Sequence, residues 1–97
     1  MINSKQRAQL RSLANGLNPV ILIGKDGMTP GLLEEIDNCL TSHELIKIKL
    51  LETSLLTPKE AAAEICQALS AEPVQCIGAK LVVYRENPEN KQIELAR

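Results

Sequence analysis

The sequence predicts an α/β fold of the order α-β-α-β-α-β-β, in which helices pack on a small four-stranded mixed sheet. Three observations support this prediction. Residues 44–51 alternate apolar and charged side chains with the period of a strand. Two Thr-Pro pairs, Thr29-Pro30 and Thr57-Pro58, are typical of helix N-termini. Only Gly78-Ala79 separates the last two apolar runs, which is typical of an antiparallel hairpin.

The first helix is expected to begin after Ser4, a residue type favoured at the N-cap. Leu10, Leu13 and Leu17 recur at i, i+3 and i+7, so we expect them to form one buried stripe. Gly16 suits the left-handed position that follows a helix C-terminus.

The first two strands are predicted to be parallel, because a helix lies between them in the sequence. Residues 20–23 are wholly apolar between Pro19 and Gly24, which is typical of a strand buried on both faces. In residues 44–51, one face is apolar and the other is charged. The apolar face carries Ile46, Ile48 and Leu50, and the charged face carries Lys47 and Lys49. Both strand–helix–strand steps require parallel strands and right-handed crossovers, whereas the last hairpin is antiparallel.

The second and third helices each carry one apolar stripe. The second directs inward Leu32, Leu33, Ile36, Cys39 and Leu40. The third opens with a capping box at Thr57 and Glu60, and we expect Pro73 to end it. Its stripe consists of Ala62, Ile65, Cys66 and Leu69. Residues 74–77 and 80–85 are the hairpin strands, and Ile93 and Leu95 are expected in a short edge strand of the polar tail.

Composition excludes several classes of function. The net charge is −1, so any anionic ligand must be met by a local basic patch. There is no Trp or Phe, and Tyr84 is the one Tyr, which excludes a reader that stacks bases on several aromatic platforms. The apolar runs are too short to span a bilayer, and residues 1–5 lack the apolar stretch of a signal peptide. We expect residues 1–97 to form a single domain, located in the cytoplasm and not bound to membranes.

The sequence offers little for metal binding or catalysis. Three Cys residues occur without C-x-x-C spacing, and they are expected to be small buried hydrophobic residues. His43 is the only His, and a position near a helix C-terminus suits its partly positive ring. No Walker A, G-x-S-x-G, dinucleotide or H-E-x-x-H motif is present. We expect no metal, no cofactor and no enzymatic activity.

The loop Gly24-Lys25-Asp26-Gly27 is the most informative segment. It joins a predicted strand to a helix N-terminus, where backbone N–H groups and the helix dipole favour an anion. Its two glycines allow a ligand to approach closely, and Lys25 supplies an ammonium. A G-x-x-G loop holds nucleotide backbone in KH domains. Asp-Gly is also a common turn dipeptide, so a plain turn remains the alternative.

Three basic pairs could extend this loop into a larger site. Arg7 and Arg11 share one side of the first helix, and Lys47 and Lys49 share a strand face. Lys80 and Arg85 lie near the ends of the last strand. Each pair either contacts phosphates or is only solvated.

Six segments stand in the order and at the spacing of a known family: residues 5–14, 19–27, 33–36, 43–49, 75–78 and 81–85. The chain resembles the YhbY-like proteins, small bacterial proteins that consist of one CRM domain (chloroplast RNA splicing and ribosome maturation). The resemblance implies a fold similar to the C-terminal domain of translation initiation factor three, and RNA binding without enzymatic activity. It also implies association with precursors of the large ribosomal subunit. The family's glycine-rich RNA-binding loop corresponds here to Gly24, Lys25, Asp26 and Gly27.

We therefore expect a monomeric RNA-binding protein that acts in ribosome assembly. Its partner is rRNA in large-subunit precursors, with ribosomal proteins as further candidates. The candidate RNA-binding residues are Gly24, Lys25, Asp26, Gly27, Arg7, Arg11, Lys47 and Lys49. The alternative is a protein-interaction module that docks a partner by a sheet edge or an aliphatic face, and the near-zero net charge favours it.

Overall fold

The computed structural model describes residues 2–89 and 91–96, and it confirms the predicted order of elements. The helices are α1 (Ser4–Ala14), α2 (Pro30–His43) and α3 (Pro58–Leu69). The strands are β1 (Ile21–Ile23), β2 (Leu45–Leu50), β3 (Glu72–Ile77) and β4 (Lys80–Tyr84). No helix among the described residues combines the length and the hydropathy needed to cross a membrane.

The four strands form one mixed sheet in the order β1-β2-β4-β3. β1 pairs with β2 in parallel, and β4 pairs with β2 and β3 in antiparallel. The predicted β1-α2-β2 step therefore joins parallel neighbours. In the second step, β2 and β3 run in the same direction, but β4 lies between them. The β3–β4 hairpin thus places β4 in the space between β2 and β3 that the α3 crossover leaves.

The sheet has a different covering on each face. On one face, Ile46, Ile48 and Leu81 pack with α2 and α3 into the larger core, where Ile36 and Ile65 are fully buried. On the other face, α1 and residues of the C-terminal segment pack on the smaller core. This smaller core comprises Ile2, Leu10, Ala14, Leu45, Val74, Val82 and Tyr84, with Ile93 and Leu95 against it.

The capping signals of α2 and α3 act as expected. Thr29 is the N-cap of α2 and Thr57 that of α3, each followed by Pro at the first helical position. In α3, the backbone N–H of Glu60 donates to Thr57 Oγ1 at 3.2 Å, while Thr57 N–H donates to Glu60 Oε1 at 3.0 Å. Ala62 and Ile65 of the predicted stripe are buried, and Cys66 and Leu69 are half-buried beside them.

The prediction for α1 was wrong in its cap and in its buried face. Asn3, not Ser4, is the N-cap, and its side chain accepts the N–H of Gln6 at 2.8 Å. The helix ends at Ala14, so Leu17 lies beyond it and the buried pair is Leu10 with Ala14. Leu13 and Leu17 are exposed. The C-cap residue Asn15 is right-handed, and Gly16 has no positive φ, so the predicted left-handed glycine after α1 is not found.

The first strand is shorter and more exposed than predicted. It comprises Ile21–Ile23, and Ile21 and Ile23 are buried against α2. Leu22, which points the other way, is 56% exposed, and Val20 before the strand is 49% exposed. The strand lies at the edge of the sheet, and α1 does not reach across it, so only one face is buried.

Three expectations near the C-terminal half also need correction. α3 ends at Leu69 and not at Pro73, because the C-cap Ser70 adopts a left-handed φ of 56°. Pro73 lies inside β3, which tolerates it because an edge strand can lack one N–H and has a register shift there. Ile93 and Leu95 form no strand, although both pack on the smaller core. Cys39 and Cys66 are only half-buried and Cys76 is exposed, so the prediction of three buried Cys residues was wrong.

Candidate nucleic-acid interface

The loop Gly24–Gly27 is a tight turn at the carboxyl end of β1. The N–H of Gly27 donates to the carbonyl of Gly24 at 3.1 Å, and Gly27 adopts a φ of +65°. Lys25 and Asp26 are exposed at its tip. Gly27 is therefore required by its backbone conformation, which L side chains rarely adopt.

Gly24 plays a different part in the loop. A Cβ added there would lie 3.6 Å from Leu51 Cδ1 and 3.6 Å from Thr53 Oγ1, which is ordinary contact. No positive φ requires glycine at this position. The absence of a side chain leaves the backbone open beside a hollow of about 200 Å³ that Leu22 and Leu32 also line.

The N-terminus of α2 offers fewer donors to this loop than the sequence suggests. Thr29 Oγ1 already accepts the N–H of Leu32 at 3.1 Å. Pro30 has no N–H, so the N–H groups left here without a partner among the described residues are those of Thr29 and Gly31. An anion at the loop would depend on loop N–H groups and Lys25 more than on the helix.

Three lysines lie together on the face of the sheet opposite α2 and α3. Lys47 and Lys49 alternate with the core residues of β2, and Lys80 lies directly opposite Lys49 on β4. α1 covers only part of this face, around Leu45, Val82 and Tyr84. We call the uncovered part, with Lys47, Lys49 and Lys80, the lysine face.

The lysine face is unpaired within the part of the chain that the structure describes. None of its three ammonium groups forms an ion pair there. The carboxylates lie mostly elsewhere: on α2, α3 and the C-terminal segment. A chain with a net charge of −1 thus concentrates positive charge on one surface.

The loop and the lysine face meet at one end of the sheet. Gly24 lies beside Leu51 and Thr53, which follow β2. The N–H of Leu50 donates to the carbonyl of Ala79 in the hairpin turn at 2.7 Å. The Gly24–Gly27 loop, the end of β2 and the turn before Lys80 therefore share one edge.

The two predicted arginines lie on the helix that partly covers the same face. Arg7 is half-buried, and its Nε donates to the carbonyl of Pro73 at 3.2 Å, which fixes it above β3. Arg11, one turn later, is exposed. The structure thus places Arg11 as a free surface cation, whereas Arg7 is partly used in holding α1 to the sheet.

Comparison with known families identifies this architecture. The family model described as the CRS1 / YhbY (CRM) domain matches residues 2–85. The chain belongs to this family. It is similar to an RNA-binding protein of Haemophilus influenzae, with 42% identity over 96 residues that cover 99% of this chain and 96% of that protein.

Other relatives cover the chain as fully. A protein of Bacillus subtilis, named a probable RNA-binding protein, is 36% identical over 95 residues, 98% of this chain and 99% of that one. A solution structure from Staphylococcus aureus, described as that of a candidate RNA-binding protein, has 39% identity and a TM-score of 0.74. It covers 99% of this chain and 100% of that one.

Arg85 and Tyr84 of this CRM domain have structural roles. Arg85 Nη1 lies 2.6 Å from Asp37 Oδ1 and donates to the carbonyl of Leu69 at 3.1 Å, so it ties β4 to α2 and α3. Tyr84 is 2% exposed, and its hydroxyl has no hydrogen-bond partner among the described residues. Burial, with Glu44 and Glu86 nearby, raises the pKa of Tyr84 to about 12. It cannot stack on a base.

Sulfur chemistry and metal binding find no support in the described residues. No group of three or more His, Cys, Asp and Glu side chains is placed to hold a metal ion. Burial, with Glu72 and Cys76 adding to it, raises the pKa of the Cys66 thiol to about 11. A thiol with that pKa is a poor nucleophile at neutral pH.

Glu44 is a structural residue that sequence reasoning missed. It is fully buried at a φ of 61°, and its carboxylate accepts the backbone N–H groups of Asn87, Gln92 and Ile93 at 2.6–2.8 Å. Burial raises the pKa of this carboxyl, but the three N–H donors and Lys91 outweigh it and leave the pKa below its usual 4.5. The one sequence signal for this role of Glu44 was its position directly after the apolar pattern of α2.

Proposed function

We propose that this CRM domain binds RNA in precursors of the large ribosomal subunit and supports their assembly without catalysing a reaction. The observation that carries the proposal is the lysine face. Three unpaired ammonium groups converge there on a chain whose net charge is −1. Phosphates are the ligands that such a surface attracts, because neutralising them releases counterions.

The loop extends this surface at the edge of the sheet. Lys25 at the loop tip, Lys49 and Lys80 lie toward the same end, and Lys47 follows along β2. An RNA strand that crosses this edge meets the open backbone of Gly24 and then the lysines. Arg11 extends the cationic surface onto α1.

The chemistry of the surface favours recognition of backbone and shape. Its side chains are lysines and aliphatic residues such as Leu22 and Ile77, and the one Tyr of the chain is buried. Without aromatic platforms, base stacking supplies little of the affinity. Folded rRNA, which presents phosphates at fixed spacing, fits this surface better than an unstructured strand.

A salt titration tests the proposal. Fragments of large-subunit rRNA are bound to the protein at increasing salt, and the slope of log K against log[salt] is measured. Four phosphate contacts to duplex RNA predict a slope of roughly −3 to −4. Binding that is insensitive to salt, or no binding to rRNA, contradicts the proposal.

Sedimentation tests the assembly role separately. A cytoplasmic extract is fractionated on a gradient, and the protein is located in each fraction. It is expected with precursors of the large subunit and not with mature ribosomes. A protein found only in the unbound fractions contradicts this role.

A protein-docking function is the second candidate, and one observation favours it. An open groove of about 560 Å³ lies between the end of α1 and β2, and the exposed Leu13, Leu17 and Val20 line it. Apolar docking in this groove would be insensitive to salt. Leu17→Ser would weaken it while leaving the salt slope of RNA binding unchanged.

A further inference from the structure

A cleft of about 150 Å³ opens on the lysine face between the C-terminal end of α1 and the β3–β4 hairpin. It is lined by Asn15, Lys47, Gln75, Ile77, Lys80 and Val82. It is smaller than the roughly 300–1,000 Å³ of pockets for drug-sized ligands. One flat ring fits this size, and a whole cofactor does not.

The strand register builds the floor and the sides of the cleft. Val82 on β4 pairs with Lys47 on β2 and with Gln75 on β3, so the three form one row across the sheet. Val82 is almost fully buried and makes an apolar floor. Ile77, which is 64% exposed and pairs with Lys80, adds an apolar wall.

The polar side chains of the cleft have no partner inside the described part of the protein. The amides of Asn15 and Gln75 and the ammonium groups of Lys47 and Lys80 form no hydrogen bond or ion pair there. A phosphate would not use all the groups of this cleft, which are two amides and two cations around an apolar floor. A phosphate accepts hydrogen bonds only, and it gains nothing from Val82 or Ile77.

We propose that this cleft takes one unpaired purine base of the bound RNA, read along its N7 edge by the Gln75 or Asn15 amide and a lysine ammonium. Asn and Gln bind adenine at N6 and N7, and Lys binds guanine at O6 and N7. The N7 acceptor is common to both purines, and pyrimidines lack it. This inference rests on the proposed RNA binding and adds one base contact to it.

The experiment compares three labelled oligonucleotides of equal length, built from adenosine, uridine or 7-deazaadenosine. The deaza base keeps the ring and the charge but replaces N7 by C–H. The adenosine strand is expected to bind about tenfold more tightly than either of the others, because it alone presents the N6 donor beside the N7 acceptor. All three should show the same salt slope, since their phosphates are identical.

Two variants assign the preference to the cleft. Gln75→Leu should remove most of the adenosine preference and leave the salt slope unchanged. If Gln75→Leu folds poorly, Asn15→Ala tests the same preference independently. Gln67→Leu, on the exposed surface of α3, is the matched control and should keep the preference.

The outcomes separate this inference from the proposed function. Equal binding of the three strands, no binding of any of them, or a preference that survives both Gln75→Leu and Asn15→Ala overturns the purine cleft while salt-dependent rRNA binding stands. If Gln75→Leu instead weakens only the capture of a ribosomal protein, the cleft is a protein contact and the inference is wrong. If neither oligonucleotides nor rRNA bind, both proposals fail.

Discussion

Lys49 lies directly opposite Lys80 across the antiparallel pair β2–β4, on the uncovered face of the sheet. Side chains in such a position have Cβ atoms about 4.5–5.5 Å apart, and like charges there destabilise a sheet. No carboxylate of the described residues forms an ion pair with either one. The arrangement weakens the fold slightly and concentrates positive charge. A bound anion would offset this repulsion between the two ammonium groups.

Lys80→Glu should therefore change stability and RNA binding in opposite directions. A Glu opposite Lys49 replaces repulsion with attraction, so the free energy of unfolding should rise by roughly 0.2–1 kcal/mol. RNA affinity should fall, and by more than in Lys80→Ala. Urea unfolding followed by circular dichroism gives the first quantity and fluorescence anisotropy the second. A variant that gains stability and binds RNA as before would remove Lys80 from the interface.

Lys25→Ala tests the loop as a phosphate contact. The side chain is exposed at the tip of the turn, so its loss should leave the fold intact. The salt slope of RNA binding should fall by roughly one unit, as expected for one lost phosphate contact. Lys59→Ala on α3, across the sheet from the lysine face, is the control and should leave the slope unchanged. An unchanged slope in Lys25→Ala would make the loop a plain turn.

Gly27→Val and Gly24→Ala separate backbone conformation from access. Gly27 has a φ of +65°, so a β-branched residue should strain the turn by about 1–3 kcal/mol and weaken RNA binding at every salt concentration. Gly24→Ala meets only ordinary contacts, so stability should change little. RNA binding should nevertheless fall if the RNA backbone approaches Gly24 closely. Equal affinity of Gly24→Ala and the parent chain would place the RNA elsewhere.

Local signals explain which parts of the fold could be predicted from the sequence. Thr57 with Glu60 forms a cap from residues three apart, and the alternation of β2 needs no distant partner, so both predictions held. The buried face of α1 was wrong because tertiary packing selects Leu10 and Ala14 over Leu13. Likewise, β3 runs through Pro73 because its edge position removes the need for that N–H.

Part of the candidate site likewise follows from local sequence, and part depends on the order of the strands. The shared face of Lys47 and Lys49 follows from the two-residue period of a strand. Their meeting with Lys80 and Gln75 depends on β4 lying between β2 and β3, which is a non-local property. The sequence contains no signal for that order, and so the cleft could not be predicted.

Ile65→Ala tests the larger core. Ile65 is fully buried in α3, and truncation removes transfer free energy and leaves a cavity. The free energy of unfolding should fall by roughly 2–5 kcal/mol. Gln67→Ala, exposed on the same helix, should change it by about 0.5 kcal/mol or less. Urea titration measures both, and a small effect at Ile65 would mean that α3 packs by another face.

Glu44→Gln tests whether one carboxylate holds the C-terminal segment. The pKa of Glu44 in the folded chain is below its usual 4.5, so its contribution is complete above pH 4.5 and is lost as the pH falls through the folded value. At neutral pH, Gln should cost roughly 1–3 kcal/mol, because its NH₂ group faces N–H donors. The difference between the two proteins should shrink in acid. Glu94→Gln, an exposed change in the same segment, should have little effect. Amide exchange at Ile93, measured at neutral and acidic pH, reports the release of the segment directly. At neutral pH, we expect rapid exchange in Glu44→Gln and slow exchange in the parent chain. Equal protection in both proteins would show that other contacts hold the segment.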